Sequence, residues 1–210
     1  MLFCYFIAQS RPELEHGPYR TLEGAPLCFV RHEDLVAAAR PWPPGARLAP
    51  ELMLEYNAVL AAACKLATVL PLRVGTRFRD EAALRVLMAG RRRELLAALE
   101  RLKDTTEMGL QAPLADQESA YQKAAELARL AQPLDARFQI RSRPAGGTFL
   151  EVAHLITRRE VEAYRERLKA QGWESTGPRP PFHFLPEFLR LPVRAEQRPR
   201  RARRASASQS

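Results

Sequence analysis

The chain has 210 residues, of which 46% are hydrophobic and 27% are charged. This is the composition of an ordinary globular protein, and the length is sufficient for two modest domains. No stretch approaches 18 uninterrupted apolar residues, so we expect no transmembrane helix, and the first ten residues lack the basic region of a signal peptide. The net charge of +9 raises the question of a nucleic-acid partner.

The positive charge is concentrated at the C-terminus. Residues 194–210 contain six arginines and one glutamate, which gives them a net charge of +5 and leaves +4 for the rest of the chain. Because this tail has no large apolar side chain, it cannot offset its own ordering entropy, and we expect it to be disordered. Such a tail binds polyanions weakly and without specificity. A small polyanion- or nucleic-acid-binding protein that acts through this tail is therefore the alternative function.

The first half of the chain shows both strand and helix patterns. Residues 2–8 and 26–30 predict strands by their aromatic and β-branched content. Residues 33–39 fit either a short helix or a third strand. A helix is predicted from Pro50, because apolar residues recur there at intervals of three and four. Its predicted buried face consists of Leu52, Tyr56, Val59, Leu60, Ala63 and Leu66.

A strand, a turn and a helix follow in residues 67–104. The segment TVLPLRV predicts a buried strand that leaves through a turn at Gly75. Asp80 can cap the next helix by accepting from its free amides. We expect that helix to break near Gly90, because glycine costs about 1 kcal/mol inside a helix.

Arg73 and Arg77 lie in this strand and its exit turn. Two interpretations are open for them: they could bind an anion, or they could lie on the solvent-facing side of an edge strand. One glycine before a helix is a weak signal for an anion nest, so the second interpretation is favoured.

The second half of the chain predicts an ordered series of elements. A strand at residues 105–115 and a helix at 116–133 precede a hairpin around Gly146 and Gly147. Thr157 and Glu160 form a capping box for a helix that stops at Gly172. Residues 173–176 predict a short strand, and the proline-spaced residues 177–192 an extended segment along a sheet edge or over a core.

This order fits a ferredoxin-like sandwich. We therefore predict a two-domain α+β fold with an N-terminal α+β domain at residues 1–112. A ferredoxin-like domain follows at residues 113–193, with an extended C-terminal segment that covers a sheet edge. Residues 194–210 form the basic tail.

Catalytic and metal-binding patterns are missing from the sequence. No two of the four histidines have metal-ligand spacing, and His154 fits a structural histidine within a strand. The three cysteines lie far apart in apolar runs, as expected for reduced thiols of a protein core. No G-x-S-x-G, G-x-G-x-x-G or P-loop motif occurs. We predict no catalytic residue, no cofactor and no metal, and hence no enzyme.

Two stretches resemble a known family. Residues 68–110, which begin TVLPLRVGTRFRDEAAL, are similar to the core of the gas vesicle protein GvpF/GvpL family, with its VLP-x-R-F-G-T strand and D-E-x-x-L helix. STGPRPPFHF at residues 175–184 resembles the closing signature of that family, in which Arg179 replaces a tryptophan. Together the resemblance covers roughly residues 50–110 and 139–184.

The resemblance implies a non-enzymatic accessory protein of gas vesicle formation, either a minor vesicle component or an assembly factor, located in the cytoplasm at the vesicle. It implies contacts with the hydrophobic shell protein GvpA and other accessory Gvp proteins, and neither a specific nucleic acid nor a membrane as partner. As partner-contact residues we nominate Arg73, Arg77, Phe182 and Phe184. For the two phenylalanines, packing as a lid is favoured over direct contact with the shell protein.

Overall fold

The computed structural model describes residues 1–19, 21, 24, 26–43, 46, 49–114, 119–142 and 147–190. Within these ranges the chain forms a mixed α+β structure with two antiparallel sheets. The predicted basic tail at residues 194–210 lies outside the described residues.

The first sheet is built around β1, which pairs with β3 on one side and with β4 and β5 on the other. Residues 33–39 form a turn and a strand and not a helix: the chain turns at Glu33, which has a φ of 50°, and from Leu35 onward it pairs with β1 and β2. The strands of this sheet are β1 (Leu2–Gln9), β2 (Cys28–His32), β3 (Leu35–Pro41), β4 (Val69–Pro71) and β5 (Arg77–Phe78).

Helices cover both faces of this sheet. The predicted break near Gly90 is confirmed, because one helix ends at Gly90 and the next begins at Arg92. The predicted cap is also present: the Asp80 carboxylate accepts from the Ala83 backbone amide at 2.9 Å. The helices are α1 (Pro12–Glu15), which the sequence did not predict, α2 (Pro50–Leu66), α3 (Glu81–Gly90) and α4 (Arg92–Arg101).

The second sheet has four strands in the order β7-β8-β6-β9, and the elements from residue 105 onward follow a β-α-β-β-α-β sequence. The strands are β6 (Thr105–Leu114), β7 (Asp135–Ser142), β8 (Thr148–Thr157) and β9 (Ser175–Arg179). The helices are α5 (Ala120–Ala131) and α6 (Val161–Lys169). The prediction of a strand at residues 173–176 was wrong in its bounds. The chain still turns at Trp173, whose backbone amide donates to the Leu168 carbonyl oxygen, and the strand begins at Ser175.

The predicted domain boundary between residues 112 and 113 falls inside β6. This strand pairs with β8 along its whole length, from Thr105 opposite Thr157 to Leu114 opposite Thr148. The strand that precedes the predicted boundary is thus a central strand of the second sheet. The division into two domains stays a prediction.

The predicted capping box is only partly correct. The Thr157 hydroxyl donates to the Glu160 carboxylate at 2.5 Å and makes no bond to a helix amide. A short 3₁₀ turn at Arg158–Glu160 separates Thr157 from α6. The two side chains that were expected to cap the helix bond to each other, because the intervening turn is tighter than an α-helix.

Three buried clusters hold these layers together. The first outer core lies between α2 and one face of the first sheet, and the second outer core lies between α5, α6 and one face of the second sheet. The shared core lies between them and draws side chains from the other faces of both sheets, from α3 and α4, and from the end of the described chain. The first sheet is therefore buried on both faces, which explains why β1 is apolar almost throughout.

His154 of β8 is a fully buried polar residue beside the second outer core. Its Nδ1 atom lies 3.0 Å from the hydroxyl oxygen of Tyr164 of α6, which is also fully buried. Burial lowers the pKa of His154 from its ordinary value near 6.5 to about 4. The imidazole is therefore neutral in the folded protein at neutral pH, as the structural assignment from the sequence requires.

We predict that the free energy of unfolding falls as the pH decreases from about 6.5 to about 4. In this window the unfolded chain takes up a proton at His154 that the folded chain does not, and the loss approaches about 3 kcal/mol. Urea unfolding across this range should show a steeper pH dependence for the wild type than for His154→Gln. The exposed-site variant His16→Gln is the control, and an equal slope in all three proteins would contradict the prediction.

Candidate interaction site

The last described part of the chain, residues 175–190, forms what we call the closing segment. It consists of β9, a 3₁₀ turn at Phe182–Phe184 and the short helix α7 (Glu187–Arg190). β9 pairs with β6 as the edge strand of the second sheet. The Thr106 hydroxyl adds a bond to the Arg179 carbonyl oxygen at 3.0 Å.

The carboxylate of Glu107 is the anchor of this segment. Glu107 lies on β6 and is fully buried. It accepts from Arg179 Nε at 2.8 Å and from the His183 backbone amide at 2.9 Å, and His183 Nδ1 lies 2.8 Å from the same carboxylate. A buried carboxylate is costly unless its lone pairs are satisfied, and here every one of these groups comes from the closing segment.

Two glycines make room for this arrangement. A Cβ atom at Gly109 would lie 2.8 Å from Nη2 of Arg179 and 2.7 Å from the Thr176 hydroxyl oxygen. Gly177 has a φ of 110°, and a Cβ atom there would lie 2.9 Å from the Glu107 carbonyl oxygen. Arg179, which stands where the closing signature of the family has a tryptophan, therefore occupies space that a side chain at position 109 of β6 would fill.

Phe182 and Phe184 pack against the body of the protein. Phe184 is only 2% exposed and belongs to the shared core together with Leu185 and Leu189. Phe182 is half-buried and contacts both the shared core and the first outer core. Because these cores lie on opposite faces of the first sheet, a residue that contacts both lies at the edge of that sheet.

Tyr56 connects the closing segment to the segment between β4 and β5 that contains Arg73. Its ring stacks with Phe182 at a centroid distance of 6.4 Å. Its hydroxyl donates to the Leu72 carbonyl oxygen, one residue before Arg73. Burial raises the pKa of Tyr56 above its usual range, so the hydroxyl keeps its proton and remains a donor.

Arg73 and Arg77 are both exposed on the edge of the first sheet. Between them Gly75 adopts a φ of 89°, and the Thr76 amide donates to the Arg73 carbonyl oxygen at 2.9 Å. At the start of α3 the Asp80 carboxylate accepts from the Ala83 amide, and this bond lowers the pKa of Asp80. This segment is thus a turn whose amide donor and helix terminus are already satisfied.

The structure brings Phe182 close to the start of this segment through Tyr56, and it places Phe184 inside the protein. Arg77 lies further along, opposite Phe3 of β1. Contact of a partner with Arg73, Arg77, Phe182 or Phe184 stays a prediction.

The thiols of the chain sit in environments that suppress their reactivity. Cys4 is buried, Cys28 and Cys64 are half-buried, and all three are free. Desolvation raises the pKa of each thiol, which disfavours the thiolate. In the part of the chain that the structure describes, no group of histidine, cysteine, aspartate or glutamate side chains is placed to bind a metal ion.

Three anchoring residues have no recognisable signal in the sequence. The anchoring role of Glu107 could not be recognised, because its strand has an ordinary alternating pattern of polar and apolar residues. Arg101 donates to the Phe184 carbonyl oxygen from the end of α4. Arg158 donates to the Cys64 carbonyl oxygen at 2.6 Å and to that of Thr105 at 3.2 Å, and so joins the end of α2 to the second sheet. An arginine that donates to backbone carbonyl oxygens of a distant element cannot be recognised from the spacing of residues in the sequence.

A family model described as gas vesicle synthesis protein GvpL/GvpF matches residues 1–171. The chain belongs to this family. Membership supports an accessory role in gas vesicle formation and agrees with the resemblance found in the sequence. The closing segment begins after the matched range. No curated protein matches the sequence.

Two solved structures share the fold of this GvpL/GvpF chain. The GvpF crystal structure from Anabaena sp. PCC7120 superposes with a TM-score of 0.71 at 13% identity, covering 87% of this chain and 94% of that one. GvpF from Microcystis aeruginosa gives 0.70 at 12% identity, covering 87% and 98%. None of the helices within the described ranges has the length and apolar character needed to cross a bilayer.

We predict that Glu107→Ala releases the closing segment. The substitution leaves Arg179 and His183, each 34% exposed, without their acceptor, and the loss of these charge-assisted bonds costs about 2 kcal/mol. Hydrogen exchange should accelerate in residues 175–190 more than in the first sheet, and the urea midpoint should fall. The exposed variant Glu174→Ala is the control, and unchanged exchange in the segment would refute the anchoring role.

Proposed function

We propose that this chain is a non-enzymatic accessory protein of gas vesicle formation that acts in the cytoplasm, as a minor vesicle component or assembly factor. In this proposal it contacts the hydrophobic shell protein GvpA and other accessory Gvp proteins. The observation that carries the proposal is the match of the GvpL/GvpF family model to residues 1–171. The desolvated thiols, whose raised pKa values favour the protonated form, and the structural role of His154 support the absence of catalysis.

We also propose that the second sheet and its helices form a ferredoxin-like unit, and that the closing segment covers the open edge of the first sheet. The β-α-β-β-α-β element order and the strand order β7-β8-β6-β9 support the first point. The contacts of Phe182 with the cores on both faces of the first sheet support the second.

Arg73 and Arg77 are the proposed partner contacts on this edge. Both side chains are exposed, and among the described residues neither guanidinium has an ion-pair partner within 4 Å. Guanidinium groups present fixed donors that suit carboxylates and carbonyl oxygens. Phe182 and Phe184 act in this proposal by packing under the edge, so that the two arginines are held on a rigid strand and turn.

We predict that Arg73→Gln/Arg77→Gln lowers co-purification of coexpressed shell protein about fivefold to tenfold. Exposed charged contacts contribute about 1 kcal/mol or less each, so the double variant should weaken binding without abolishing it. The control is Arg93→Gln/Arg129→Gln, which removes the same charge from two other exposed positions. Equal retention by the wild type and both double variants would remove the two arginines from the contact.

We predict that the chain truncated before Arg194 still retains the shell protein, because the proposed contact lies on the folded part. Coexpression followed by affinity purification and quantification of bound shell protein and nucleic acid measures this. Retention by neither form, with nucleic acid recovered from the full-length chain only, would favour the polyanion-binding alternative. That alternative further requires recovery to fall steeply with salt.

A further inference from the structure

The outward face of α2 carries an apolar surface that the proposed function does not use. The inner face of this helix packs on the first sheet. On the outer face Leu54 is 72% exposed. Beside Leu54 along the helix lies a groove of about 380 Å³, lined by Pro18, Ala58, Ala61, Ala62, Lys65 and Leu66. An exposed leucine next to an open apolar groove on one surface indicates an interface.

The residues on this face follow one helical stripe. At about 100° per residue, Glu51, Leu54, Ala58, Ala62 and Lys65 fall within an arc of roughly 100°. The acidic residue stands at the N-terminal end of the stripe and the basic residue at its C-terminal end. The centre consists of alanines, which allow a second helix to approach closely.

The positions on this stripe are symmetric about Ala58. Glu51 and Lys65 each lie seven residues from it, and Leu54 and Ala62 each lie four residues from it. When two such helices cross antiparallel with a two-fold axis at Ala58, each Glu51 faces Lys65 of the second copy. Each Leu54 then faces Ala62 and the groove of the second copy, so that a large side chain meets a small one.

We propose that α2 is a self-association surface at which two copies of this chain pair antiparallel about Ala58. An isologous interface requires the same patch to be complementary to itself, and the charge and size pattern of this stripe meets that requirement. α2 has 17 residues and is about 25 Å long. The pair of helices therefore buries less than the roughly 1,600 Å² of a standard interface, and the dimer is weak and depends on concentration.

The test is sedimentation velocity on the full-length, nuclease-treated protein over a concentration series at low salt. The wild type should shift from monomer to dimer as the concentration rises. Leu54→Glu should remain a monomer, because it places a carboxylate in the apolar groove. Val86→Glu is the matched control: Val86 is 65% exposed, lies on α3 and is outside the stripe, so this variant should dimerise like the wild type.

A charge exchange tests the antiparallel geometry. Glu51→Lys and Lys65→Glu should each weaken the dimer severalfold, since each places like charges opposite one another. The double variant Glu51→Lys/Lys65→Glu should restore it, because the pairs are then reversed. In a Cys28→Ser/Cys64→Ser background, Ala58→Cys should form a disulfide between copies under mild oxidation. Asn57→Cys, exposed but turned about 100° around the helix, should not.

Three outcomes would overturn the proposal. A wild type that stays monomeric at every concentration excludes it, as does a dimer that survives Leu54→Glu. In the third outcome the double charge exchange fails to restore the dimer. The wild type and Leu54→Glu could both be monomeric while Leu54→Glu retains less shell protein. In that case the surface binds the shell protein and not a second copy. The proposed accessory function would stand in that case.

Discussion

The buried carboxylate of Glu107 is the interaction on which the closing segment depends. It lies on the face of the second sheet that points into the shared core, because its neighbours opposite on β8 include Leu155, a member of that core. An isolated carboxylate at this depth would be strongly disfavoured. Arg179 and His183 remove that penalty, and their bonds fix where Phe184 enters the protein. One electrostatic requirement thereby positions a set of apolar contacts.

Much of the architecture could be predicted from local patterns. The three-and-four spacing of α2, the cap at Asp80 and the glycine break before α4 report on interactions within a few residues, and sequence carries such information directly. The β7–β8 hairpin was recognised for the same reason. Thr157 and Glu160 show the limit of this approach, because the capping box depends on a full α-helical turn that the chain does not form there.

The anchoring contacts could not be predicted because they join residues far apart in the chain. Glu107 shares its side of β6 with Gly109 and Gln111, a pattern that usually indicates a strand face in water. Glu107 is buried on that face because the closing segment packs over it. Arg101 and Arg158 are similar cases, since each binds main-chain oxygens on a distant element. The exposed positions of Arg73 and Arg77, in contrast, agree with the sequence-based prediction, although Arg73 lies after the end of β4 and Arg77 at the start of β5.

Layers of helix and sheet support two surface features of the first half of the chain, a sheet edge and the outer side of α2. The edge with Arg73 and the outer side of α2 lie on the same half of the protein, since α2 packs on the sheet to which that edge belongs. Tyr56 links α2 to this edge, because it lies on the inner side of the helix and its hydroxyl donates to the Leu72 carbonyl oxygen.

The shared core has a consequence for biosynthesis. Its first members come from β1, at the start of the chain, and its last members are Phe184, Leu185 and Leu189. A ribosome must therefore translate nearly the whole described sequence before the inner face of the first sheet is completely shielded from water. Until then the nascent chain exposes apolar surface of the kind that chaperones bind. Burial of this face is thus completed only when Phe184, Leu185 and Leu189 dock.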